Sequence, residues 1–353
     1  MKIFRQFRWS VFVRCSVLAA AGLAVVPRVP AATINVTYNS LPCDTSGCTA
    51  VPVDAQTAFN KIVQTYGSLL TNNVTVYIEL QFGTTGLGQS DTQYSNDTYT
   101  NWRAALANNY ATQGATNPVL GSAVASLPAG SNPVTGNVNS QVNFTTANAK
   151  ALGFAQTTSA AVPDSIITLS NAVSYEYNST ATVGSYDFMN VAEHELDEAL
   201  GISSAITGDN APVPDTLHAE DYFRYSGPGT RAVTNDPNAQ VSFSDDGGTT
   251  LLAQFNQDGS VGDTNDWTYT CTGTPGPFTQ DATTCTGVVA PSPFDLGSPE
   301  AAVLQSLGWA EGGGDLTPPT PAPEPATTAI TSLGVLGLAL MRRRRALAKN
   351  PAQ

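Results

Sequence analysis

The residues best suited to chemistry lie in one run, Glu193-His194-Glu195-Leu196-Asp197-Glu198-Ala199-Leu200-Gly201. The chain has two histidines, and one of them stands here among four carboxylates within six residues. On a helix turning about 100° per residue, His194 and Glu198 fall on one face, one i, i+4 step apart, with Glu195 on the adjacent turn. Phe188, Ala192, Leu196, Ala199 and Leu200 share the core-facing arc, and Glu193 and Asp197 fall toward solvent. This is the spacing by which H-E-x-x-H holds zinc through its outer residues and offers its glutamate as a general base. Glu198 stands where that motif has its second histidine. A carboxylate oxygen is a competent zinc ligand, although its charge weakens the metal's pull on water and on a carbonyl. Eleven Asp/Glu and no Lys or Arg lie between Lys150 and Arg224. A divalent cation is the expected relief for carboxylates held so close together.

A third ligand has to come from outside that helix. His218, Glu220 and Asp221 follow in the run LHAEDYFRYSGPG, and Asp221 precedes an aromatic-rich strand from which it reaches back. Tyr222 and Tyr225 in the same run are candidates to steady an oxyanion. The turn Asp245-Asp246-Gly247-Gly248 and the set Asp258, Asp263 and Asp266 are candidates for a structural calcium ion, Ca2+, although neither fits an EF-hand. No G-x-S-x-G occurs, which argues against a serine hydrolase.

The elements that position these residues are legible in outline. Thr33–Tyr38 alternates like a strand, Asp54 is placed to cap a helix with apolar residues from Ala55 to Leu70, and Val74–Phe82 is the strongest strand. Together they predict a βαβ unit. A helix is expected around Trp102–Tyr110 and a strand over Ser165–Ser170. Asp187 caps the helix that runs through Leu200, and Gly201 ends it. Asp221–Gly308 reads as short strands and turns, closing on a helix begun by Ser298-Pro299-Glu300.

Charge and the chain ends bound the function. Between Thr33 and Ala322 there are five Lys/Arg against 27 Asp/Glu, so no nucleic acid is expected as partner and cations are favoured. Residues 1–32 read as a signal peptide: Lys2, Arg5, Arg8 and Arg14 precede the apolar run Ser16–Val26 and the small Ala31-Ala32. Cys15 leaves with it, and the remaining cysteines form two local pairs, Cys43/Cys48 and Cys271/Cys285, expected as disulfides of an oxidising compartment. Residues 311–322 form a Gly/Pro/Thr linker. The tail 323–353 holds Pro323-Glu324-Pro325, the weakly apolar Ala326–Met341 and then Arg342–Arg345. This tail resembles the PEP-CTERM sorting signal of exopolysaccharide-producing Gram-negative bacteria. The resemblance implies secretion to the cell surface, a transient membrane anchor in the C-terminal helix, and a dedicated sorting enzyme (an exosortase) as partner.

The blocks YDFMNVAEHELDEALG, DYFRYSGPGTR, SFSDDGGTTLLAQFNQ…GDTNDW and LQSLGW, spread over Thr33–Trp309, resemble PEP-CTERM-bearing secreted metalloproteases of the zincin class. The resemblance implies an α+β fold over 33–310: a zincin-like mixed sheet with an active-site helix (33–201), then a loop- and strand-rich C-terminal subdomain (202–310). It implies a zinc-dependent endopeptidase acting on protein or peptide substrates, with His194 and Glu198 as metal ligands and Glu195 as the catalytic base. Asp221 is the shared third ligand, with His218 as the alternative. Ser204 stands where metzincins have a further histidine, so a metzincin site is not supported. The competing expectation is a non-catalytic extracellular or biofilm-matrix protein that keeps a degenerate zincin scaffold.

Overall fold

The computed structural model describes residues 31–134, 139–268, 271, 277–295 and 298–312. In chain order the elements are β1 (Thr33–Tyr38), β2 (Ser46–Thr49), α1 (Val53–Leu69), β3 (Thr75–Thr84), β4 (Gly88–Thr92), β5 (Tyr94–Thr98), α2 (Tyr99–Thr112), α3 (Pro118–Ser126), β6 (Gln141–Thr145), α4 (Thr146–Ala151), β7 (Ser165–Ser170) and α5 (Phe188–Leu200). A stretch of strands two to four residues long follows, and α6 (Pro299–Ser306) comes last. Over the described residues the fold is mixed α+β, with six α-helices and several sheets, parallel and antiparallel pairings together.

The principal sheet is built around β3. β1 lies parallel to it from Thr33↔Thr75 to Tyr38↔Leu80 with α1 as the crossover, which is the βαβ unit read in the sequence. β7 lies parallel on the other side, and β4 closes that edge antiparallel to β7. Flanked on both sides, β3 is buried along most of its length, which is why it reads as a near-continuous apolar run. Its one acidic residue, Glu79, is fully buried and satisfied by the Thr37 and Ser40 hydroxyls and the Ser40 and Leu41 amides. Asp54 does not cap α1. The helix opens one residue earlier, behind Pro52, and Asp54 sits in its first turn, where a negative charge suits the helix dipole.

α5 begins as expected: the Asp187 side chain accepts from the Met189 amide (3.0 Å), and Gly201 ends the helix at φ 138°. Its burial corrects the helical-wheel expectation. Glu193 and Asp197 do not face solvent, and Asp197 is fully buried. β4 and β7 cover one side of α5, and α1 covers another, with the Tyr66 hydroxyl donating to Asp197 Oδ1 (2.8 Å). The C-terminal stretch returns over what remains: Trp309 Nε1 donates to the Leu200 carbonyl (2.9 Å) and Asn148 Nδ2 to that of Leu307 (2.7 Å). A wheel drawn on one helix reads apolar faces only and misses a polar face covered by polar groups from distant segments.

Two disulfides form as expected, Cys43–Cys48 and Cys271–Cys285, each with a Cα–Cα distance of 5.8 Å. The expectation of a membrane-anchored, surface-sorted chain is corrected. No helix among the described residues is long and apolar enough to cross a membrane. The segment 326–341 on which the expectation rested lies outside the described residues, as do residues 1–30 of the expected signal peptide.

A buried ion pair ties α4 to the principal sheet. Lys150 Nζ donates to Asp164 Oδ2 and to the Thr75 carbonyl, both at 2.7 Å, and Asp164 also accepts from the Tyr77 amide and the Thr146 and Thr158 hydroxyls. Lys150→Met leaves a fully buried carboxylate without its cation. The expected loss is about 3 kcal/mol in urea unfolding; a loss below about 0.5 kcal/mol would show the pair to be dispensable.

Candidate metal centre

α5 presents His194 and Glu198 one turn apart, and the C-terminal stretch brings Asp266 to meet them. His194 Nε2 lies 3.8 Å from Glu198 Oε1 and 3.5 Å from Asp266 Oδ1, and the ligand atoms of all three lie within 4.8 Å of one another. His194 Nδ1 lies 3.0 Å from the Thr279 carbonyl, which can only accept, so Nδ1 carries a proton and Nε2 is the nitrogen that faces the two carboxylates. Both oxygens of Glu198 are held, Oε2 by the Ser90 hydroxyl (2.7 Å) and Oε1 by Asn265 Nδ2 (3.0 Å). Asn265 Nδ2 and Gln280 Nε2 each donate to Asp266 Oδ1 at 3.2 Å. These distances pass a simple test of fit. Ligands about 2.1 Å from a tetrahedral centre stand about 3.4 Å apart, close to the 3.5 and 3.8 Å that separate His194 Nε2 from Asp266 and Glu198.

β4 forms the wall beside these groups, and Gly88 comes closest to them. A Cβ on Gly88 would lie 2.2 Å from Glu195 Oε1, so only glycine lets the strand backbone pass that carboxyl. The cleft continues to both sides. One cavity of about 420 Å³ holds His194, Glu195, Asp266 and Asp281. A second, of about 350 Å³, holds Tyr94, Ser203 and Thr264, and the two share Ser90, Glu198, Gly262 and Asp263.

The electrostatics are those of a site short of positive charge. Among the described residues, no Lys or Arg lines either cavity. Burial alone would lower His194, but Asp266, Glu198 and Glu195 outweigh it and raise it to about 10. Burial raises Asp266 to about 8 and Asp281 to about 7. Burial and the Glu198 carboxylate hold Glu195 well above the usual carboxylate range. A cation bound here would displace these protons, so its affinity falls as pH falls.

The other candidates have different partners. Asp221, fully buried, accepts from the Ser204 hydroxyl (2.5 Å) and from the amides of Ala205 (2.9 Å) and His218 (3.0 Å), fastening one loop to another. His218 meets Ser203 Oγ (3.1 Å) through Nδ1 and packs against the Tyr94 ring (4.7 Å). Neither joins His194 and Glu198. Tyr222 sits in an aromatic cluster with Tyr99 and Trp102, and neither it nor Tyr225 lines the cleft. Of the Asp-rich turns, Asp246 accepts from Ser244 and Thr250, and Asp258 from Ser260, as turn acceptors do. Among the described residues, the one His/Cys/Asp/Glu group of three or more at ligand spacing is His194, Glu198 and Asp266. Asp266 was visible in the sequence only inside GDTNDW, where its spacing from Asp258 and Asp263 suggested calcium.

The opposite side of α5 carries a second acidic group. Burial, then Asp187 and Asp295, raises Glu193 to about 8. A carboxyl whose pKa is higher in the folded chain stabilises the fold fully below its unfolded value, near 4.5, and loses that contribution as pH rises through about 8. Glu193→Gln stays neutral throughout. In chelator it is expected to match the parent melting temperature at pH 4.5 and to exceed it at pH 8; equal values at both would contradict the assignment.

No protein-family model matches this chain, and neither the curated proteins nor the solved structures contain a match.

Proposed function

We propose that this chain is a zinc-dependent endopeptidase of zincin-like architecture, with His194, Glu198 and Asp266 as metal ligands and Glu195 as general base. The observation that carries this is the orientation of His194: its Nδ1 is spent on the Thr279 carbonyl, and its Nε2 faces two carboxylates at ligand spacing. The imidazole favours a transition metal over calcium, which takes oxygen ligands almost alone. Zinc would act as a Lewis acid on the scissile carbonyl and on water. Glu195, which lines the same cavity as His194, Glu198 and Asp266, would take the proton of the attacking water and return it to the leaving amine. Its raised pKa suits the return step, and a cation beside it would lower that pKa enough for the first.

Two features favour cleavage within a chain. The cleft is open on both sides of the centre. β4 pairs with β7 along one edge, and no described strand occupies the other, so an extended peptide can add there. The likeness of the sequence blocks to PEP-CTERM-bearing metalloproteases supports the same reading. Asp266 takes the ligand role that the likeness would give to Asp221.

Glu195→Gln is expected to retain zinc and to lower turnover of a casein-type substrate by at least about 100-fold, since the base is removed and the ligands remain. Glu198→Ala is expected to lose zinc and turnover together. Unchanged hydrolysis by Glu195→Gln would contradict the mechanism; zinc bound by a parent protein that hydrolyses nothing would favour the non-catalytic scaffold.

A further inference from the structure

Glu300 is buried at the start of α6, distant in sequence from every residue of the centre. One of its oxygens, Oε1, accepts from Trp267 Nε1 (3.0 Å) and from the Gln280 amide (2.9 Å); the other accepts from the Ser298 hydroxyl. Both donors on Oε1 adjoin the metal centre. Trp267 follows Asp266 directly. Gln280 follows Thr279, whose carbonyl orients His194, and its own Nε2 donates to Asp266. Their two segments are otherwise joined by Trp267 N to the Gln280 carbonyl (2.7 Å), by Ala282 N to the Trp267 carbonyl (3.0 Å) and by the disulfide Cys271–Cys285.

We propose that Glu300 is a positioning residue for the metal centre: one carboxylate oxygen fixes the spacing between the segment that supplies Asp266 and the segment that orients His194. The inference rests on the metal-centre reading above. A single acceptor shared by donors from two segments acts as a spacer between them, and metal sites need that spacing held within about 0.2 Å. Both donors are buried, so removing the acceptor strands two N–H groups in the interior, and the segments must shift to find others. α6 is a firm base for the spacer, since the residues just after it are tied to α4 and to the end of α5 through Asn148 and Trp309. Metal occupancy and docking of α6 are thereby linked, and the coupling runs both ways.

The test compares the full chain with Glu300→Ala, Glu300→Gln and Trp267→Phe. It reads the zinc dissociation constant by competition with a chromophoric chelator and the visible spectrum of the cobalt-substituted protein. Glu300→Ala is expected to weaken zinc by about 10- to 100-fold and to alter the cobalt bands, which report ligand geometry. Glu300→Gln keeps an acceptor oxygen and is expected to recover most of the affinity. Trp267→Phe removes one donor, keeps a smaller aromatic ring in the cluster with Phe243 and Phe255, and should fall between. Should Glu300→Ala not fold, Trp267→Phe carries the test alone. Variants with parent affinity and cobalt spectrum, and a lower melting temperature only, would overturn the inference and leave the metal centre standing. A parent chain that binds no zinc would overturn both.

Discussion

Carboxylates buried on both sides of one helix are the constraint around which this molecule is organised. An isolated charge in an apolar interior is too costly to keep, so each acidic group there must gain a partner or a proton. On the α1 side of α5 the answer is protonation: Glu193 is raised to about 8, and burial holds Asp197 well above its usual range even with the Tyr66 hydroxyl on it. On the cleft side the answer is different. Glu198 and Asp266 converge on a histidine whose far nitrogen is already committed, and hydrogen-bond donors surround them in place of cations. A divalent ion, displacing the protons that Glu195 and Asp266 otherwise hold, would resolve that side.

The chain meets this constraint with segments far apart in sequence. α5 supplies His194, Glu195 and Glu198; β4 supplies Ser90 and the space at Gly88; the C-terminal stretch supplies Asp266, Asn265 and the Thr279 carbonyl. Residues 298–312 then return across α1 and α5 and fix the last of these in place. A centre assembled this way is complete only when all three segments have folded together.

What could be read from the sequence follows from which interactions are local. α5 was legible because its cap, its apolar spacing and its closing glycine all lie within fifteen residues of each other. The βαβ unit was legible because β3 is buried on both faces and must be apolar. β4, by contrast, reads Gly-Gln-Ser-Asp-Thr, with no apolar alternation. It is a strand because β7 offers it an edge, and Gly88 and Ser90 are the positions that carboxyl groups stand against. The sequence's two candidates for a third ligand fall outside the group at ligand spacing for a related reason. Asp221 and His218 are near α5 in sequence, but the loop they fasten turns away, whereas Asp266 is delivered by the pairing of the Trp267 and Asp281 segments, which no periodicity records.

The claim on which everything functional depends is that His194, Glu198 and Asp266 hold one metal ion. Anomalous diffraction from zinc-treated crystals, collected above and below the zinc absorption edge, tests it directly. The expected result is one strong peak about 2.1 Å from His194 Nε2 and from an oxygen each of Glu198 and Asp266. Absence of a peak there at full zinc loading, or a peak coordinated by Asp221 or His218 in their place, would contradict it.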